Sequence, residues 1–368
     1  MGGADGTGRT KPTIYAAWTA WQARLALVLL ALLCMSGVVA SINRSAPTTL
    51  ATPFNPELTD VGLYRAVALR VGRGDDYYSA VVIEQRARHF PLKPFVTIRL
   101  PTLAWLTGSL GERGAWMLLV LLAAAATIGT SLRLRAVTGV PDPWVAATML
   151  IIASAAPLVM PVVVWWHDAW AGLLIALSLA CRMPGRWRAS VAIGLVALLI
   201  RELALPYLCL MAALAWWEGQ RREAIAWAGA ILIFLAALAT HAALLAPYVT
   251  GADATSAGWS SAGGLPFVLS LVRSCTIMTL LPLPAIAITM PLALLGWSGL
   301  KGDFGRRVAL LLGGYLFAFL SFGRPDNFYW GLTIAPLLAT GLAFAPYAVR
   351  DLVGVALGPA GTRIRPVA

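Results

Sequence analysis

A carboxylate just inside the start of a helix, with a tyrosine one turn behind it, is a side-chain set suited to taking a proton from a hydroxyl. The stretch TDVGLYRAVALRVGRGDDYYSA, Thr59 to Ala80, has this form. Asp60, Tyr64 and Ala68 recur every four residues, so they share one face of an amphipathic helix that begins near Thr59 and ends in a turn at GRGDD. The backbone dipole favours an acid at a helix N-terminus, and capping alone would explain Asp60. Thr59 can cap equally well, which leaves Asp60 for other work. Asp75 and Asp76 in the turn are hard oxygen donors of the kind a divalent cation prefers, but a solvated Gly-flanked turn has the same composition. No cofactor is assigned; a divalent metal at these two acids is the one candidate.

Three later breaks between apolar runs carry ionisable residues: His167 and Asp168 in VWWHDAWAG, Arg201 and Glu202 in LLIRELALP, and Arg324 and Asp326 in SFGRPDNFYWG. Charges so closely flanked by apolar residues cost about 2.5–3.5 kcal/mol each to insert, so they face a partner or a wet cavity. Each pair can neutralise itself locally. Three such pairs on one face, opposite the acidic first loop, favour a shared polar site. Between them lies HFPLKPFVTIRLPTLAWL, which contains His89, Lys93 and Arg99 and reads as an interfacial stretch with Trp105 at headgroup level. Lys93 and Arg99 either anchor generically on lipid phosphates or hold the phosphate of a particular lipid substrate.

The elements that position these residues follow from composition. Of 368 residues, 59% are hydrophobic and 12% charged, about half the charged fraction usual for a soluble domain. Repeated apolar runs indicate an all-α polytopic membrane protein, with about ten transmembrane helices near 18–40, 115–132, 143–163, 168–181, 189–200, 203–217, 223–247, 275–298, 307–322 and 327–348. Several are too short to cross a bilayer straight, which is tolerated where broken helices line a cavity. The four cysteines show no metal-like spacing and read as small apolar side chains. The net charge of +12 reports topology, not nucleic-acid binding.

Orientation comes from the Lys and Arg of the short loops. Arg133, Arg135, Arg182, Arg186, Arg188, Arg221, Arg222, Lys301, Arg306 and Arg307, with the tails 1–17 and 349–368, fall on one side after ten crossings, and that side is the cytoplasm. The membrane domain is 18–348, with a large extracytoplasmic loop and interfacial segment at 41–114. Small residues offer a cleavage site after Ala40, but about seventeen residues precede the apolar run, which favours an uncleaved anchor.

DVGLYRAVALRVGRGDDYY resembles the D-x3-Y-x3-A…G-x3-Y arrangement in the first outer loop of GT-C superfamily glycosyltransferases, nearest to the polyprenyl-phosphate-sugar-dependent mannosyltransferases of the phosphatidylinositol-mannoside type. The layout of the whole chain fits; similarity in sequence is confined to this loop and, loosely, to WWHDAWAGLLIALSL and LIRELALP. The resemblance implies transfer of a hexose from a polyprenyl-phosphate donor to a lipid or glycan acceptor at the outer face of the cytoplasmic membrane. Asp60 then matches the catalytic base, with Tyr64, Gly74 and Tyr78 in its framework. Where the family commonly has Tyr-Pro-Pro, this chain has Phe90-Pro91-Leu92-Lys93-Pro94, which leaves acceptor and donor sugar open. Candidate substrate contacts are Tyr64, Asp75, Asp76, Tyr78, His89, Lys93, Arg99, His167, Asp168, Arg201, Glu202, Arg324 and Asp326. A polyprenyl-linked lipid or glycan flippase is the alternative, and would place charges along both sides of a pathway.

The topology is testable with single cysteines in a background whose four native cysteines are replaced by serine. Asp75→Cys should react with an impermeant thiol reagent on intact cells and Arg135→Cys only after permeabilisation. The reverse pattern would invert the protein in the membrane.

Overall fold

The structure, a computed structural model, describes residues 13–42, 59–139, 141–259 and 262–358. Among them there are helices and turns and no strand. In chain order the α-helices are α1 (Ala20–Ile42), α2 (Asp60–Gly72), α3 (Tyr77–Ala87), α4 (Thr102–Thr138), α5 (Pro141–Ala155), α6 (His167–Cys181), α7 (Arg188–Ile200), α8 (Leu205–Trp217), α9 (Arg221–Leu245), α10 (Gly264–Cys275), α11 (Leu283–Gly299), α12 (Asp303–Ser321), α13 (Ala335–Leu338) and α14 (Ala345–Leu357).

Five segments are long and apolar enough to cross a membrane: Ala20–Ile42, Phe95–Thr138, Pro141–Val159, Arg221–Tyr248 and Asp303–Ser321. A sixth counts if the bent pair Ala335–Ala343 and Ala345–Leu357 is one span. The other four of the ten expected spans fall on the shorter apolar helices α6, α7, α8 and α11. The expected helix 275–298 begins only at Leu283, after a separate short helix, α10, that the apolar pattern did not resolve. The expected span 327–348 is also different. It starts as a 3-10 segment, Pro325–Thr333, and its last helix continues to Leu357, into the stretch read as a tail. Residues 1–12 and 359–368 of the two tails, with Arg9, Lys11, Arg363 and Arg365, lie outside the described residues.

Helix α6 can be short because it need not meet lipid along its length. α6 has 15 residues, roughly 22 Å at 1.5 Å per residue, and all but Leu177 and Cys181 are buried. Helices α4, α7, α12 and α13, together with Pro325–Thr333, surround it. Against α6 that segment approaches at Gly172, where a Cβ would stand 2.4 Å from the Leu332 carbonyl oxygen, so no larger residue fits there. By contrast α1, apolar all round, fully buries only Ala23 and Gly37 and leaves most of the rest exposed.

An outer assembly rests on this bundle. α2 and α3 pack with the 3-10 turn Phe95–Thr97 and the start of α4 around Leu63, Val67, Tyr77, Tyr78, Val81, Leu92 and Ile98. Gly111, at φ 66 and ψ 170, kinks α4, so its first two turns belong to this assembly and the remainder to the bundle. The loop after α9 closes the assembly. Asp253 takes two bonds of 2.8 Å from Arg86, and the Leu92 and Lys93 amides donate to the Ala254 carbonyl at 3.1 and 3.2 Å. The Arg86 guanidinium, followed by the Thr250 amide, holds the Asp253 carboxyl below the usual carboxylate range.

At the opposite end of α6 a second set of charges fastens the bundle. Arg182 bonds Glu223 at 2.9 Å and Glu218 at 3.3 Å and also pairs with Asp303. Arg306 and Arg307 of α12 share Glu218 and Asp303. Three of the arginines counted for orientation are therefore neutralised, which leaves the count intact, because the orientation bias follows Lys and Arg and not net charge.

Removing one partner from a buried ion pair costs about 3–5 kcal/mol. Glu223→Ala strips a carboxylate from Arg182 and an acceptor from the Trp227 indole, so the variant should melt well below the parent in detergent micelles. An unchanged melting temperature would mean this network does not hold the helix ends together.

Candidate functional site

Between the outer assembly and the bundle is a cavity of about 910 Å³. Its polar lining includes Asp60, Tyr64, Arg65, Gln85, Arg99, Arg324, Asp326, Asn327 and Tyr329, and its apolar wall includes Leu69, Phe90, Val162, Trp166, Trp259 and Phe328. Polar groups converge on one side and an apolar surface faces them, the general form of a site for a partly apolar ligand.

Asp60 enters this cavity because its neighbour does the capping. Thr59 is extended, at φ −94 and ψ 163, and its hydroxyl oxygen accepts the Gly62 amide at 3.3 Å. Asp60 therefore begins α2 with its carboxylate free of the helix end, where it accepts a hydrogen bond from the Tyr329 hydroxyl. Burial pushes its carboxyl above the ordinary carboxylate value; Arg99, then the Tyr329 bond and Arg201, pull it back, and Asp326 pushes it up. Among the described residues Asp60 has no ion-pair partner. It is a carboxylate of raised proton affinity facing open space.

Behind it runs an unbroken chain of charges. Arg99 pairs with Glu202, Glu202 accepts from Arg201 at 2.7 Å, and Arg201 donates to Asp168 at 2.9 Å. The four charges sum to zero, which is the condition for holding them among apolar helices. They come from the segment before α4, the break between α7 and α8, and the first turn of α6. Arg99 is the member that reaches the cavity. It also donates to the Tyr64 hydroxyl oxygen, its carbonyl accepts the Tyr77 hydroxyl at 2.6 Å, and its Nε, buried, has no partner among the described residues. His167 sits in a small recess beside the cavity with its ring 4.5 Å from that of Tyr64.

The structure thus brings Asp60, Tyr64, Arg99, Arg324 and Asp326 onto one surface, with His167, Asp168, Arg201 and Glu202 supporting it. Arg324 and Asp326 pair locally at 2.8 Å, as their spacing allows, and still line the cavity. The other five candidates lie outside the lining. Asp75 pairs with Arg70 at 3.2 Å. Asp76 caps α3 through the Ser79 amide at 2.9 Å and accepts the Tyr248 hydroxyl at 3.1 Å. Tyr78 is buried and stacks on Tyr248, His89 ends the α3 turn at φ 59, and Lys93 donates to the Gly251 carbonyl at 2.9 Å. These five build the platform under the site. Among the described residues no group of three or more His, Cys, Asp or Glu is arranged to hold a metal ion.

Sequence reasoning passed over Tyr329, Gln85, Ser256 and Trp259. Tyr329 had a signal, three residues after Asp326 in the same polar break; the other three sit on elements whose docking only the fold determines. Comparison with protein-family models, with curated proteins and with solved structures finds no match to this chain.

Proposed function

We propose that the protein is a membrane glycosyltransferase that moves a hexose, mannose by the family resemblance, from a polyprenyl-phosphate donor to a lipid or glycan acceptor. What carries the reading is Asp60, a proton-hungry carboxylate without an ion-pair partner among the described residues, on a cavity it shares with Arg99 and Arg324. In this reading the acceptor hydroxyl attacks the anomeric carbon while Asp60 takes its proton. The bond from that carbon to the phosphate oxygen breaks, and the departing polyprenyl phosphate keeps the electron pair. Arg99, which lines the cavity, meets the growing phosphate charge, and Arg324 adds a second cation at the rim. One base and one leaving group on opposite sides of the sugar give inversion.

The apolar wall suits the first isoprene units, and an opening towards lipid would let the rest of the tail stay in the membrane. The proposed setting is the cytoplasmic membrane, crossed ten times, with both termini inside and the cavity outside, where lipid-linked sugars are presented and nucleotide sugars are absent. Arg201 has a different role from the one its position suggests. Its bonds go to Asp168 and Glu202, so it holds Glu202 and through it Arg99.

Asp60→Asn keeps shape and cannot take a proton, so turnover of a polyprenyl-phosphate hexose should fall by about 100-fold or more, with insertion and donor binding retained. In the parent, the rate should be lost as pH falls through the Asp60 ionisation, and that acid limb should lie above the ordinary carboxylate range, the direction of its shift. Turnover of the asparagine variant within a few-fold of the parent would place the base elsewhere. Counterflow of the lipid in liposomes without transfer would make the protein a transporter.

Arg99→Lys keeps the charge and loses the planar fork. The donor KM should rise while the acceptor KM stays close to the parent's. Equal loss for both substrates would mean that Arg99 acts only on the shape of the cavity.

A further inference from the structure

The far end of α6 carries a second concavity, unconnected with transfer chemistry. Two tight turns meet there. One joins α6 to α7, with the Met183 and Arg186 backbones bonding each other at 3.2 and 2.9 Å; the other, at Gly219, joins α8 to α9. Between them lies an open cavity of about 900 Å³ whose lining includes Arg186, Arg188, Arg221 and Arg222. All four side chains are exposed, and among the described residues none has an ion-pair partner. The acid in the lining, Glu223, is buried and committed to Arg182 at 2.9 Å. Arg182, Arg306 and Arg307 a short way inward have their acids, and among the described residues these four have none.

Four like charges held together by two turns repel one another unless an anion joins them. The residues that flank the Gly219 turn in the chain indicate which kind of anion. Trp217 is 88% exposed, and Trp216, 58% exposed, lies under the Arg221 guanidinium at 3.5 Å. Ile225, one turn into α9, is also bare. Indoles at the ends of apolar helices belong at the headgroup layer of a bilayer, and a basic concavity between such helices suits a phosphate-bearing headgroup.

We infer that the pocket formed by Arg186, Arg188, Arg221 and Arg222 binds the headgroup of an anionic phospholipid, whose acyl chains lie along the Trp217 and Ile225 flank. Arg188 and Arg221 open α7 and α9, so the backbone amides of both helix starts add to the field that favours an anion. The site is about 22 Å from the candidate transfer site, the length of α6, and does not depend on the function proposed for that site.

The test uses the full chain purified in mild detergent, titrated with phosphatidylglycerol or phosphatidylcholine, with retained lipid read by native mass spectrometry. Phosphatidylglycerol should be retained in preference to phosphatidylcholine, and increasingly lost as salt is raised. Replacing all four arginines by glutamine (Arg186→Gln, Arg188→Gln, Arg221→Gln, Arg222→Gln) should weaken retention by about tenfold or more. The corresponding four lysine replacements keep the charge and should retain most of the binding, which separates loss of the site from loss of the fold. Three results would overturn the inference: full retention in the glutamine variant, equal retention of phosphatidylcholine, or displacement of the lipid by inorganic pyrophosphate as readily as by excess phosphatidylglycerol.

Discussion

The chain of ions from Arg99 through Glu202 and Arg201 to Asp168 is the constraint on which the outer half of the molecule depends. Dehydrating an ion costs several kcal/mol, and one close contact returns of order 4 kcal/mol at an effective dielectric of about 20. A lone pair on these terms barely breaks even. Arg201 touches two carboxylates and Glu202 touches two guanidinia, so the inner members of the chain collect two contacts for one dehydration. The arrangement is stable as a row and poor in pieces. Its four members come from three separate parts of the chain, with Arg201 and Glu202 side by side in one of them, and the helix breaks that carry them must therefore converge. That convergence sets where α6 starts, where α7 ends, and how the segment before α4 lies across both.

The local part of this plan was legible in the sequence. The start of α2 at Thr59 and Asp60, the turn at GRGDD, and the three polar breaks all stand where residue type and spacing put them. The pairings were legible only where partners are neighbours. Arg201 with Glu202 and Arg324 with Asp326 are such cases. Arg99 with Glu202 spans 103 positions, and nothing local announces it. The same reason separates used from unused candidates. Asp75 and Asp76 each had a partner a few residues away and were drawn into the construction of the outer assembly, and Lys93 was drawn in by the Gly251 carbonyl, 158 positions on. Asp60 had Thr59 to take the capping role and stayed available. The number of spans was legible only in part for a related reason: hydropathy reports apolar content, and α6, apolar and packed in protein, reads the same as a helix that meets lipid.

The two ends of α6 solve the same charge problem differently. At the far end Arg182, Arg306 and Arg307 share Glu218, Glu223 and Asp303, a compact cluster in which each charge has opposite neighbours. At the cavity end the row finishes at Arg99, which lines the cavity, and beside it Asp60 has no ion-pair partner among the described residues. A closed cluster fastens helices. An open row keeps one cation and one carboxylate facing a space large enough for a ligand, at the cost of a raised proton affinity on Asp60.

Tyr329 shows how far that readiness reaches into the bundle. Its hydroxyl holds the Asp60 carboxylate, yet it stands on Pro325–Thr333, a segment with no regular α-helix to fix it. Three contacts locate it. Gly172 admits the Leu332 carbonyl against α6, the Cys275 thiol donates to the Phe328 carbonyl at 3.1 Å, and the Tyr329 ring packs on Trp166, the residue before α6, at 4.8 Å. The same helix therefore supports both sides of the carboxylate: Asp168 in its first turn steadies the cation row, and Gly172, one turn on, seats the segment that carries the tyrosine. A side chain at position 172 would push Tyr329 away without touching the cavity, because the space it needs is already filled by backbone.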